Sequence, residues 1–178
     1  LFSYPVFSAD SVAFSADGGT FVCAGYKEIR MIDTETGESK GYIGREKDEY
    51  RNIQAASFTP DGKHLIYADL FSMRICDAAD GGGDRPLPSA ASTHELLVVS
   101  PDGSTVLGTQ KNVIFVTDIA SAKNRLVLKH GGGCYVRSVA FDREGKRIVS
   151  ASADGTIVIW NASTGARIHL LEGHIGNV

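Results

Sequence analysis

The sequence predicts an all-β fold in which four-stranded antiparallel sheets stack on one another. The first observation is a turn motif that returns four times, at Ser15–Gly18, Thr59–Gly62, Ser100–Gly103 and Asp142–Gly145. Its glycines are 44, 41 and 42 residues apart, and a fixed period of this size is typical of stacked copies of one supersecondary unit. The second observation is size, because a unit this small cannot bury a core alone and must pack against its neighbours.

The fourth copy shows most clearly how one unit is built. The predicted strands are Val136–Phe141, Arg147–Ala151, Thr156–Trp160 and Arg167–Leu171. Ala153–Gly155 is a tight hairpin signal between the second and third of them. In the turn motif, the proline of Ser100–Gly103 presets its own φ, the aspartate bonds the local backbone, and the glycine accepts positive φ.

The third and fourth strands predict how the sheets are arranged. Thr156–Trp160 is apolar at consecutive positions, which requires burial on both faces and therefore a sheet between two similar sheets. Fourth strands are more polar, and Arg85–Pro88 contains two prolines, which favour an edge position. We expect the fourth strand to be outermost and the first innermost. Four strands per unit and this period predict a β-propeller of about four blades.

The chain resembles the WD-repeat family at this point. Ser150–Trp160 is similar to that family's pattern, and Gly173-His174 is similar to the pair that opens its next blade. The resemblance implies repeats at 9–44, 51–90, 93–130 and 135–172, with 173–178 beginning another.

Both ends of the sequence indicate a piece of a longer protein. The chain begins at Leu1, not at methionine, and breaks off inside the pattern that opens a further repeat. The resemblance implies a ring of about seven blades, so we expect an open arc or part of such a ring. Missing blades of the same chain, or a second copy, would then cover its exposed apolar faces.

The resemblance also implies a buried polar network in the fourth blade, made by Ser150, Asp154 and Trp160. The family's histidine is hard to assign, because His130 lies two residues further from the first strand than the pattern asks and Gly132 occupies the expected place. The other copies have a different residue at the tryptophan position: Ile32, Cys76 and Thr117. We therefore expect apolar packing to hold the first three blades.

Composition narrows the class of partner and the compartment. The chain is 43% hydrophobic and 22% charged, and 18 Lys and Arg against 21 Asp and Glu leave a net charge of -3. No basic excess exists to neutralise phosphates, which argues against nucleic acid. No apolar run reaches membrane-spanning length. Three sparse cysteines, at 23, 76 and 134, form no disulfide framework and favour a reducing, cytoplasmic location.

Two short motifs resemble those of hydrolases, but the sequence around them does not support a hydrolase site. His130–Gly133 matches a glycine-rich oxyanion loop, and Gly37–Gly41 matches a G-x-S-x-G nucleophile elbow. The elbow requires a helix after its serine, and none is predicted after Ser39. The five histidines show no spacing typical of a zinc motif. We therefore predict no catalytic residue, no metal and no cofactor.

The resemblance implies a protein or peptide partner, bound by residues that enter each first strand and residues beside each second hairpin. The positions are Asp10, Tyr26, Asn52, Gln54, Thr93, Glu95, Tyr135, Arg137 and Ala153. Tyr135 and Arg137 are the strongest candidates, because Tyr and Arg dominate binding hot spots. The alternative is that Tyr135 only packs on its neighbouring blade.

A propeller enzyme is the alternative function. A lactonase-like or quinone-dependent dehydrogenase-like protein would hold a metal or cofactor in its central channel with acidic residues, His or Asn at inner-strand ends. Asp10 and Glu95 are the acidic candidates near first-strand starts. A non-catalytic interaction scaffold needs no such set of metal or cofactor ligands.

Overall fold

The computed structural model describes residues 9–26, 28–43, 52–69, 72–87 and 96–173. Those ranges contain sixteen β-strands and no helix. The chain divides into two compact units, Leu1–Leu87 and Pro88–Val178. Thr93, Glu95, His174 and the start of the chain, on which predictions fell, lie outside the described residues.

The first unit contains two antiparallel sheets of four strands each, ordered as in the chain. The first sheet is β1 (Ala9–Phe14), β2 (Thr20–Gly25), β3 (Ile29–Asp33) and β4 (Ser39–Ile43). The second sheet is β5 (Ile53–Phe58), β6 (His64–Asp69), β7 (Met73–Asp77) and β8 (Arg85–Leu87). Their facing sides share one core, in which Val22, Ile29 and Met31 of the first sheet meet Phe58 and Leu65 of the second.

The second unit repeats this plan. Its first sheet is β9 (Leu97–Val99), β10 (Thr105–Gln110), β11 (Val113–Asp118) and β12 (Lys123–Lys129). The other sheet is β13 (Val136–Phe141), β14 (Arg147–Ser152), β15 (Ile157–Asn161) and β16 (Arg167–Leu171). Leu107, Ile114 and Val116 pack against Ile148 and Val158 in the shared core. The predicted all-β fold of four four-stranded antiparallel sheets is confirmed, with first and fourth strands at the sheet edges.

The recurring turn motif works through one side-chain pattern. The Ser15 hydroxyl donates to Asp17 at 2.6 Å and accepts from the Thr20 amide at 2.9 Å. Thr59 and Ser100 repeat both bonds in the second and third copies. The glycine that ends each turn has φ between +68° and +72°, a conformation that glycine adopts without a steric penalty. The sequence repeat is therefore a repeat of turn chemistry.

The third strands differ in how they are buried. In β11, Ile114, Phe115, Val116 and Thr117 are all buried, so this third strand is covered on both faces. In β15, burial alternates, with Val158 and Trp160 buried and Ile157 and Ile159 only partly buried, so the burial on both faces predicted for this strand is wrong. The first sheet of the first unit exposes Val12 and Phe14, and the last sheet of the second unit exposes Val149, Ile168 and Leu170.

Candidate functional site

Every sheet has two ends with different loops. The first-hairpin end carries the turn between the first and second strands and the turn between the third and fourth. The second-hairpin end carries the start of the first strand and the hairpin between the second and third strands. Those binding positions implied by the sequence resemblance that lie among the described residues belong to the second-hairpin end.

Three of those positions share one backbone feature. The ladder between first and second strands shifts register once in the first, second and fourth sheets, between Ala9 and Ser11, Ile53 and Ala55, and Val136 and Ser138. The extra residue at each shift is Asp10, Gln54 or Arg137. A β-bulge takes one residue out of the ladder and re-aims its side chain. The side chain at this position is therefore released from sheet packing.

In the second unit, Tyr135 and Arg137 lie side by side. The Arg137 guanidinium carbon is 5.6 Å from the centre of the Tyr135 ring, within the range of a cation–π contact. Two hairpins fix the backbone here, because the Tyr135 carbonyl accepts from the Ala153 amide and the Val136 amide donates to the Lys111 carbonyl. The Tyr135 side chain is 42% exposed. A rigid backbone therefore presents an aromatic ring and a cation to solvent.

In the first unit, the structure brings Tyr26 and Asn52 together in an antiparallel bridge between the two sheets. Tyr26 is 44% exposed, whereas Asn52 is partly buried. Gln54 is also partly buried, and its Oε1 has no hydrogen-bond donor among the described residues. Asp10 is exposed. This end of the first unit offers polar and acidic groups, whereas Arg137 and Lys111 make the second unit's end basic.

A buried polar chain runs through the last sheet. Trp160 Nε1 donates to the Ser150 hydroxyl at 2.8 Å, and Ser150 Oγ lies 2.8 Å from His130 Nδ1. His130 Nε2 lies 2.9 Å from the Thr156 hydroxyl, which donates to Asp154 at 2.6 Å. Because Thr156 gives its proton to the carboxylate, it accepts from Nε2, and the neutral imidazole must accept from Ser150 at Nδ1. Each hydrogen bond of this network is therefore donated in the same direction, from the Trp160 indole towards the Asp154 carboxylate.

His130 belongs to this network, although its spacing in the sequence argued against it. Gly131, Gly132 and Gly133 all have positive φ, from +56° to +112°, and form a loop that absorbs the two extra residues. A Cβ at Gly132 would meet the Asp154 carboxylate, so the loop passes directly over that group. The glycine triplet was the signal for this loop; the sequence left the role of His130 open, and the structure places it in the network.

The second sheet holds a polar cluster that the sequence did not predict. Arg74 Nε and the Tyr67 hydroxyl both donate to Asp84 Oδ1, at 2.8 and 3.0 Å. The Arg74 and Asp84 side chains are only 11% and 12% exposed. Burial, and next the Asp84 charge, raises the pKa of Tyr67 to about 12. The second sheet therefore has a buried polar cluster in addition to its apolar core.

The remaining features of the described residues concern metal binding, catalysis and membrane insertion. They include no group of three or more His, Cys, Asp or Glu side chains that could hold a metal ion. Ser39 starts strand β4, so the G-x-S-x-G spelling is not a nucleophile elbow. Within the same ranges, no helix has the length and apolar character needed to cross a membrane.

Comparison with known proteins finds one family model, described as WD domain, G-beta repeat, which matches residues 123–161. WD repeat-containing protein pop1 of Schizosaccharomyces pombe is 59% identical over 34 residues, 19% of this chain and 4% of that protein. Retinoblastoma-binding-like protein E of Dictyostelium discoideum is 37% identical over 59 residues, 33% of this chain and 11% of that protein.

A third relative is eukaryotic translation initiation factor 3 subunit I of Debaryomyces hansenii, 50% identical over 40 residues, or 22% of this chain and 12% of that protein. The chain thus spans only a small part of the length of the curated relatives it matches. These matches show a WD repeat at residues 123–161, and the four four-stranded sheets are consistent with a fragment of a WD-repeat protein; the relatives support a role in protein interaction in general.

Proposed function

We propose that this chain is a non-catalytic scaffold that binds a peptide or protein segment at the second-hairpin end of its blades. The observation that carries the proposal is the first-strand bulge, which presents Arg137 beside Tyr135 on a backbone tied to two hairpins. Function in repeat folds is placed on loops that a rigid framework positions. A fixed aromatic ring and guanidinium offer contact area at low entropic cost.

The chemistry of this pair favours a partner segment with a carboxylate or exposed carbonyl groups. Arg137 has donors for such oxygens, and Lys111 adds a second cation at the same end of the second unit. The exposed Tyr135 ring can cover an apolar side chain next to the anionic one.

The test replaces Arg137 with glutamate in the full chain. Peptides selected from a random library on the wild-type protein are titrated by fluorescence anisotropy against R137E. We expect binding to weaken about tenfold or more, because hot-spot side chains contribute roughly 2 kcal/mol. The melting temperature should not change, because Arg137 is exposed and outside the strand ladder.

R143E is the matched control, since Arg143 is an exposed residue of the same sheet at its first-hairpin end. It should bind the selected peptides within about twofold of wild type. Equal losses of affinity and melting temperature in R137E, or equal losses of affinity in both variants, would contradict the assignment. A melting temperature that rises with calcium would instead favour a channel-centred metal site.

A further inference from the structure

A cleft of the first unit lies at the first-hairpin end of its two sheets. It has a volume of about 620 Å³ between the two sheets. Its floor contains the apolar side chains of Met31 and Phe58. Four aspartates and two lysines line it: Asp17, Asp61, Asp77, Asp80, Lys40 and Lys63. The cleft therefore combines apolar surface with an excess of negative charge.

The second unit has a cleft at the equivalent place, which shows what such a site can hold. It measures about 390 Å³, and Phe141 and Lys146 occupy the positions of Phe58 and Lys63. Lys40 is equivalent to Arg125. Each lies seven positions after the aspartate that ends the third strand of its own sheet, Asp33 for Lys40 and Asp118 for Arg125. Both cations sit at a register shift of the fourth strand, outside the ladder.

The two cations make different contacts. Arg125 Nη2 reaches across to the neighbouring sheet and donates to the Ala162 carbonyl at 2.8 Å. Lys40 Nζ turns back to its own sheet, where it contacts Thr20 Oγ1 and Asp33 Oδ2, both at 2.9 Å. Ala78 is the equivalent of Ala162, and no described side chain donates to its carbonyl. The first unit thus has the cleft of the second without the guanidinium that spans it.

Local hydrogen bonds lower the pKa of two of the carboxylates around this cleft. Hydrogen bonds from Ser15 and the Gly19 amide lower the pKa of Asp17, and those from Thr59 and the Lys63 amide lower the pKa of Asp61. Asp77 has His64 as its neighbour at 3.7 Å, and Asp80 accepts from the Gly82 amide at 2.7 Å. None of these contacts closes the cleft.

We propose that this cleft receives an arginine side chain from a basic segment of a protein partner. The guanidinium would take the place beside Ala78 that Arg125 takes beside Ala162, with the Asp77 and Asp80 carboxylates close by. The aliphatic stem would lie over Met31 and Phe58, as long cationic side chains do on apolar surface. Arginine fits better than lysine, because its planar fork can donate to a carbonyl and a carboxylate together.

The probe is a short peptide of alternating alanine and arginine, compared with versions that carry lysine or uncharged citrulline instead. The full chain is labelled at its methionine methyl groups for NMR. Only two methionines exist, so Met31 reports the cleft, and Met73, which is 1% exposed, is an internal reference. We expect the arginine peptide to shift the Met31 resonance alone, with weaker binding of the lysine peptide and none of the citrulline peptide.

The double variant D77N/D80N removes two charges and keeps oxygen acceptors at both positions. It should weaken binding of the arginine peptide about three- to tenfold, as expected for exposed charge pairs. D118N/D142N is its matched control, because it removes two aspartates from turns of the second unit. An unmoved Met31 resonance, equal losses in both double variants, or equal binding of the lysine peptide would overturn the proposal. R137E should bind this peptide normally, which separates the proposal from the one above.

Discussion

Replacing Ser150 with alanine tests the buried polar chain of the last sheet. Ser150 has no exposed surface, and its hydroxyl joins Trp160 Nε1 to His130 Nδ1 with two bonds of 2.8 Å. His130 and Trp160 are themselves 4% and 5% exposed, so water cannot replace the hydroxyl without opening the sheet. The S150A variant therefore leaves one buried donor and one buried acceptor without partners.

The loss in free energy of unfolding follows from those two unpaired groups. A buried polar group that loses its partner costs about 1–3 kcal/mol, so the free energy of unfolding should fall by roughly 2–5 kcal/mol. For a unit of about 90 residues, this corresponds to a drop in melting temperature of about 10 °C or more. The measurement is urea unfolding followed by tryptophan fluorescence. Trp160 is the single tryptophan of the chain and reports this site directly.

S138A is the control, because Ser138 is an exposed serine on β13 of the same sheet. Its free energy of unfolding should stay within about 0.5 kcal/mol of wild type. If S150A loses no more stability than S138A, the hydroxyl does not connect the indole to the imidazole as the structure indicates.

Two further predictions concern the same network. Burial lowers the pKa of His130, so below about pH 6.5 the unfolded chain takes up a proton that the folded chain does not. Wild type should therefore lose stability between about pH 7.5 and about pH 5.5, and H130Q should lose less in urea unfolding; equal slopes would contradict this. G132A should lower the melting temperature more than G133A, since both positions have positive φ but only a Cβ at Gly132 meets Asp154. Equal effects would mean that loop contact with Asp154 is unimportant.

The sequence predicted the repeating parts of the fold because they depend on local chemistry. The turn motif specifies its own hydrogen bonds, and strand bounds follow from where apolar runs begin and end. The third strand of the last copy was predicted over Thr156–Trp160 and is Ile157–Asn161. Such shifts of one residue are small beside the period of the repeat.

What could not be predicted depends on insertions and on contacts between distant residues. The glycine loop at 131–133 has no counterpart in the other copies, so spacing alone left the role of His130 undecided. Arg74 lies in a strand whose other residues are mostly apolar. No local sequence pattern indicates that Asp84, ten residues later, accepts a hydrogen bond from it. The binding positions came from family resemblance, and the bulges that isolate three of them are visible only in the strand register.

Bulges at opposite edges of the blades would allow one backbone to serve the two binding chemistries proposed above. A residue in the ladder must suit the packing of its face, so its identity is constrained by the core. A bulge residue has no ladder partner, so first strands can carry Asp10, Gln54 or Arg137, and fourth strands Lys40 or Arg125, on the same framework. Charge at either end of a blade can therefore change without cost to the core. For this reason, variants at Arg137 and at the Asp77–Asp80 cleft should act on different ligands.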